Sequence, residues 1–303
     1  MNCLNFQRIE ISDKDRAEEC LRKSNFRGCE YSFGNNFVWR KAYNIEVCFY
    51  NGFYFVKQQS GKNTRFIYPT GRSDEDDNIR LAIELLRDYT NENNLPLTIY
   101  ANKCISDKIA LLFPQSLLRP ERGFFDYVYI AEDLESLKGK KYHSKRNHLN
   151  RFYENNWSFE PLSADNIGEC VEMNRQWRME NIDKCDISSE MESKIQELCV
   201  VECSLKHYDE LGYIGGVLRV DGSVQAFTFG EPSSDDCFVV HVEKALRKYQ
   251  GAYAAINREF VKSLNGRFKY INREDDTGSE GLRKAKLSYN PCFLEEKFKI
   301  TLP

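Results

Sequence analysis

Apolar residues along the chain fall into two successions of elements with the same rhythm. In the first, Ile11-Ser12-Asp13-Lys14-Asp15 reads as a capped helix entry, Ser12 the cap and Asp15 at the third helical position, with the helix running to about Lys23. Residues 29–39 are dense in aromatics. Residues 45–50 and 53–58 are predicted strands joined by Asn51-Gly52, a pair suited to the positive φ values of a tight hairpin turn. Phe66-Ile67-Tyr68 adds a strand closed by Pro69-Thr70-Gly71, and Ile79, Ala82, Ile83, Leu85 and Leu86 keep helical spacing across 76–93. A strand at 97–101, a short helix at 107–113 and a strand at 124–130 complete an α/β layer.

The second succession has a strand at 157–160, then helices at 166–180, with Met173 and Trp177 on the apolar side, and at 191–208. Strands at 212–219 and 223–230 flank Val220-Asp221-Gly222. The nearly all-apolar run Cys237-Phe238-Val239-Val240-His241-Val242 predicts a central strand. A loop holding Gln250-Gly251-Ala252 leads into a helix ending near Leu264, and a strand at 268–271 follows. Two hairpin–helix–strand units suggest a duplicated fold: a first unit at 1–133, a second at 156–303, and a basic helix at 134–155 between them.

At 303 residues the chain is long enough for two such cores. Its net charge of −3 gives no general attraction to polyanions, so any such site must be a local patch. Eleven cysteines, without a CxxC, predict buried reduced thiols in a cytoplasmic protein and no metal site; Cys199 and Cys203 are read as core residues. No run approaches the roughly 20 apolar residues of a membrane span.

The local patch is at 138–151, where Lys138, Lys140, Lys141, Lys145, Arg146 and Arg151 meet no acid. It reads either as a solvated linking helix or as a face for tRNA or nucleotide phosphates, with Lys141, Lys145, Arg146 and Arg151 as its contacts. A second concentration of charge is at 272–291. There a strand ends in Arg273, Glu274, Asp275 and Asp276, and Gly278 and Gly281 precede Arg283, Lys284 and Lys286. A strand running into acids, glycines and a basic helix builds either a solvated loop or a site at the mouth of a sheet. Between them, the strand–Gly–helix junction at Gly251 is a geometry that can hold an anion, with Arg247 and Lys248 at its entrance.

Preceded by the strand at 223–230, that junction resembles the acyl-CoA core of the GNAT acyltransferases. Across the chain, Glu30-Tyr31-Ser32-Phe33, Tyr68-Pro69-Thr70-Gly71, residues 142–147 (YHSKRN), His241-Val242-Glu243-Lys244-Ala245 and residues 273–286 resemble the DUF2156 family. That family is similar to the soluble C-terminal domain of phosphatidylglycerol lysyltransferases. The resemblance implies an α/β (α+β) chain of two tandem GNAT-like domains, each a mixed twisted sheet flanked by helices. By kinship with the lysyltransferases and FemABX enzymes, it implies aminoacyl transfer from aminoacyl-tRNA to a small-molecule or lipid-headgroup acceptor, with no cofactor required. Arg247, Lys248, Gln250, Gly251, Ala252 and Tyr253 then form the donor loop. Tyr253 departs from the small residue usual at its place, which counts against ordinary CoA binding.

Acyl transfer needs a proton acceptor, donors for the developing oxyanion and a clamp on the donor. Glu243 is the expected base or ammonium anchor, the alternative being a salt bridge to Lys244 or Arg247. Asp275 and Asp276 would hold an aminoacyl amine, or else cap the following helix. Arg273, Arg283 and Lys286 would bind substrate, the plainer reading of the last two being surface charge. His241 reads as a satisfied core residue, the alternative being a catalytic one. An acyl-CoA-dependent N-acyltransferase and a non-catalytic RNA- or nucleotide-binding module remain open as alternatives.

Overall fold

The computed structural model describes residues 4–61, 63–182 and 188–303. The chain runs β1 (Gln7–Arg8), α1 (Lys14–Ser24), α2 (Phe33–Val38), β2 (Glu46–Tyr50), β3 (Phe53–Ser60), β4 (Asn63–Thr70), α3 (Asp76–Glu92), β5 (Thr98–Asn102), α4 (Lys103–Leu112) and β6 (Leu117–Pro120). It continues through β7 (Asp126–Ile130), α5 (Ala131–Ser136), α6 (His143–Tyr153), β8 (Trp157–Pro161), α7 (Ile167–Ile182), α8 (Ser188–Lys206) and α9 (Tyr208–Leu211). Last come β9 (Ile214–Val220), β10 (Ser223–Ser234), β11 (Cys237–Ala245), α10 (Ala252–Ser263), β12 (Tyr270–Asn272), α11 (Glu280–Leu287), β13 (Phe293–Glu295) and β14 (Lys297–Thr301).

Two mixed sheets result, ordered β1-β2-β3-β4-β5-β14-β6 and β13-β7-β12-β11-β10-β9-β8. Each is an antiparallel meander followed by one parallel pair, β4 with β5 and β11 with β12, whose crossover is a helix, α3 or α10. This is the tandem GNAT arrangement. The two units exchange strands. β7, which its place in sequence groups with the first unit, lies in the second sheet beside β12 and β13, while β14 from the chain's end enters the first sheet between β5 and β6. A shared core seals the pair: Phe33, Phe37 and Tyr54 of the first unit pack in one cluster with Val217, Phe227 and Phe229 of the second.

The basic stretch is not one linking helix. Leu137 takes a left-handed conformation (φ 48°), Gly139 another positive φ, and a 3-10 turn at Lys140–Tyr142 leads into α6. Arg146 donates to the carbonyls of Leu137 and Gly139 and holds this break in place. The first helix also starts later than predicted, with Glu10 and Asp13 forming a reciprocal cap ahead of it where Ser12 was expected to cap. α4 begins at Lys103 because the buried Asn102 accepts from the Ile105 amide. Cys3 and Cys185 lie outside the described residues. The other nine cysteines are free thiols, but Cys104, Cys199 and Cys292 are exposed, against the expectation of burial. No helix among the described residues is long and apolar enough to cross a membrane.

Candidate functional site

β11 and β12 pair only from Cys237 to Val239. Beyond that, β11 continues to Ala245 while the other strand ends at Asn272, so the two part into a splay. Alternation places His241 and Glu243 on one face of β11, and both reach across the gap. The Arg273 guanidinium donates to Glu243 Oε1 at 2.7 Å, and Asn257 Nδ2 of α10 donates to Oε2 at 3.0 Å. Glu243 therefore pairs with Arg273 and not with Lys244 or Arg247, and the pair is almost wholly buried.

Arg273 lies 4.7 Å from the ring centre of Tyr289 and 5.6 Å from that of Tyr129, and its buried Nη1 has no acceptor. From α6, Lys145 places Nζ 3.9 Å from the same Tyr289 ring centre and donates to Ser288 Oγ at 2.6 Å. Burial lowers the Lys145 amine to about 8, the Arg273 charge lowering it further and Glu243 acting the other way. Two cations thus meet one carboxylate at the splay, an arrangement suited to receiving negative charge. Tyr129, Asn257, Ser288 and Tyr289 carried no sequence signal, since aromatic and small polar residues are common throughout this chain.

His241 Nδ1 lies 2.7 Å from Glu274 and Nε2 2.9 Å from Glu231, an acid that also accepts from the Gly34 amide of α2. Burial would lower this imidazole, but the two carboxylates outweigh it and raise it to about 9. A group raised on folding stabilises fully below its unfolded value and loses that contribution as pH climbs through the folded one. Urea unfolding should therefore show stability declining between about pH 6.5 and 9 by at most about 3 kcal/mol, a slope that His241→Gln should flatten.

The other expected site residues are committed to the fold. Asp276 is fully buried and receives Arg283 through two bonds at 2.7 and 3.0 Å, Tyr127 Oη at 2.6 Å and Arg122 at 3.3 Å. Burial opposes its charge, but Arg283 and Tyr127 hold the carboxyl well below the usual range. Lys286 donates to the carbonyls of Arg273 and Asp275. Asp275 accepts from the Thr277 amide, and burial raises it to about 6, Lys297 pulling it down while Asp126 and Glu274 add to the rise. Lys141 pairs with Asp133, and Arg151 donates to Gln250.

The Gly251 loop is engaged from two sides. Gly251 caps α10 with φ 92°, and a Cβ there would run into the His148 carbonyl of α6. Tyr253 accepts from Trp177 Nε1 at 2.9 Å, while Arg247 donates to Asn181 and, through its amide, to Glu180 of α7. Lys248 lies 5.0 Å from the ring centre of Tyr249. Gly251→Ala combines a positive φ with a backbone clash and should cost at least about 2 kcal/mol in chemical denaturation. A loss below about 0.5 kcal/mol would mean that α6 does not bear on this loop.

Among the described residues one set of side chains is close enough to ligate a metal ion: Cys29, Glu30 and Asp126. The Lys297 ammonium sits among them, 2.7 Å from Asp126, 2.7 Å from Glu30 and 3.3 Å from Cys29 Sγ.

The sequence model of the family described as phosphatidylglycerol lysyltransferase, C-terminal, matches residues 21–301. The chain belongs to this family. A conserved protein of unknown function from Bacteroides thetaiotaomicron is 32% identical and superposes with a TM-score of 0.90, covering 99% of this chain and 100% of that one. A C-terminal DUF2156 domain from Agrobacterium fabrum, 14% identical, shares the fold at a TM-score of 0.66 over 96% of this chain and 91% of its own. An uncharacterized protein of Mycoplasmoides gallisepticum is 23% identical over 182 residues, 58% of this chain and 55% of that one. The chain thus spans about half the length of that curated relative. In this lysyltransferase C-terminal family member, the splay and its Glu243–Arg273 bridge lie in the second of the two tandem units.

Proposed function

We propose that the chain is an aminoacyltransferase that moves an aminoacyl group from aminoacyl-tRNA to an amine or hydroxyl, the acceptor being a small molecule or a lipid headgroup. The observation that carries this reading is the Glu243–Arg273 bridge across the β11–β12 splay, with Lys145 beside it. Family membership supports the reaction class. The acceptor atom attacks the ester carbonyl, the ester C–O bond breaks, and the tRNA leaves as a ribose hydroxyl carrying the proton lost by the acceptor. Arg273, through its spare Nη1, and Lys145 supply positive charge to the developing oxyanion. Glu243 holds Arg273 in place.

An acyl-CoA donor fits less well. A diphosphate at the Gly251 loop needs open backbone amides, and here α6 and α7 press on that loop. The experiment incubates the protein with tRNAs charged with labelled amino acids, offering phosphatidylglycerol vesicles and an amine pool as acceptors. Label moving into either supports the proposal. Transfer from acetyl-CoA with none from tRNA would replace it by N-acyl transfer. Salt-sensitive tRNA binding without turnover on any donor would leave only a binding module.

A further inference from the structure

The face of the first sheet that looks toward the second unit carries a row of rings and cations that the splay does not use. Alternation along β4 sends Phe66 into the core under α3 and turns Arg65 and Ile67 to the opposite face, where Ile67 and Tyr100 border the shared core. Arg65 lies 5.5 Å from the ring centre of Tyr43, 5.0 Å from that of Tyr100 and 5.7 Å from that of Phe124. Trp39 extends the row, its ring centre 5.4 Å from that of Tyr43. None of the five is fully buried.

Arg65 commits only Nε, which donates to Gln58 Oε1 at 2.8 Å. Its two terminal nitrogens have no acceptor among the described residues and are open to solvent. A guanidinium set over rings in this way keeps its in-plane N–H groups for an incoming acceptor. Lys41, exposed beside the row, has no ion-pair partner among the described residues. The sequence shows the same interleaving of aromatic and basic side chains in Trp39-Arg40-Lys41-Ala42-Tyr43, although Arg40 is drawn inward to the Phe37 carbonyl. Unpaired cations beside accessible rings match a ligand that alternates flat bases with phosphates, whereas a lone phosphate would leave the rings unused. The row also leads toward the splay. A Cβ on Gly123, next to Phe124, would lie 3.3 Å from the Gly278 nitrogen, in the loop that begins at Arg273. Tyr43 feels that loop as well: burial raises its hydroxyl, Arg65 lowers it and Asp275 adds to the rise.

We infer that this row binds a single-stranded RNA end, with bases stacked on Tyr43, Tyr100 and Phe124 and phosphates on Arg65 and Lys41. The identity of the RNA, the acceptor end of a charged tRNA, rests on the transfer reading; the binding itself does not. The test is fluorescence anisotropy on the full chain with a labelled single-stranded RNA octanucleotide ending in CCA, and with an RNA duplex of the same length. The single strand should bind more tightly than the duplex. Arg65→Gln should weaken it about tenfold and lower the slope of log affinity against log salt by about 0.7, the value for one phosphate on a single strand. Arg65→Lys should keep that slope. Tyr43→Leu should weaken binding about fivefold or more with the slope unchanged, and Phe124→Ser, at a ring 37% exposed, does the same if Tyr43→Leu fails to fold. Equal affinity for the duplex, no binding of the single strand at millimolar protein, or binding unchanged in the Arg65 and ring variants overturns the assignment. A protein that binds as expected but transfers nothing leaves this inference standing and removes the transfer reading. Transfer from charged tRNA with oligonucleotide binding unaffected by the variants does the reverse.

Discussion

Lys297→Met is expected to destabilise the protein by about 3–5 kcal/mol, measured as a lower urea midpoint with an unchanged slope. Lys297 is 7% exposed and lies between a fully buried Asp126 and a Glu30 carboxylate that is 11% exposed. Asp126 also accepts from the Cys29 amide and from Asn272, both at 2.8 Å, which ties β7, β12 and the turn before α2 to one carboxylate. Removing the ammonium leaves two acids in low dielectric with only backbone, amide and thiol donors, among them Cys29 Sγ at 3.5 Å from Asp126. The ion pair also joins the two halves, since Lys297 begins β14 of the first sheet and Asp126 begins β7 of the second. Removing both charges should therefore cost less than the sum of the single losses, and Lys297→Met/Asp126→Asn is the variant that measures this coupling. A single loss under about 1 kcal/mol, or strict additivity, would show that the cluster does not hold the halves together.

The strand exchange that creates this cluster could not be read from local pattern. Residues 124–130 have the alternation of a strand, but alternation reports which face is buried and not which sheet supplies the partner. Residues 293–301 carry Glu295, Glu296, Lys297 and Lys299, so they read as polar, although Lys297 is buried by an ion pair. The long elements were legible because period and turn chemistry agreed: Asn51-Gly52 takes the positive φ values its sequence asks for, and α3 runs from Asp76 as its apolar spacing requires. At the site, the sequence pointed to Glu243 and Arg273 but not to their pairing, because they meet only where β11 and β12 diverge. Asp276 and Arg283 were singled out for charge, and that charge is turned inward on itself. Of Lys141, Lys145, Arg146 and Arg151 the break at Leu137 and Gly139 displaces only Lys141 from the helix, and the other three share α6. Each reaches its own acceptor, which the sequence does not show.

Arg273→Lys and Glu243→Gln are each expected to lower the proposed aminoacyl transfer roughly a hundred- to a thousandfold, the size typical of losing one oxyanion donor. Lysine keeps the charge of Arg273 but not the planar fork, so it cannot hold Glu243 while offering a second donor in the direction of Nη1. Glutamine at 243 still accepts a hydrogen bond but no longer balances the guanidinium, which is then free to turn between the Tyr129 and Tyr289 rings. The two losses share one cause, the displacement of Arg273, so the double variant should transfer no more slowly than the worse single variant. A simple binding role predicts a raised KM with kcat kept, whereas a donor used in the transition state predicts a fall in kcat. Losses that multiply in the double variant would mean that Glu243 acts on its own, as the proton acceptor. Full activity in both single variants would place the chemistry elsewhere than the splay.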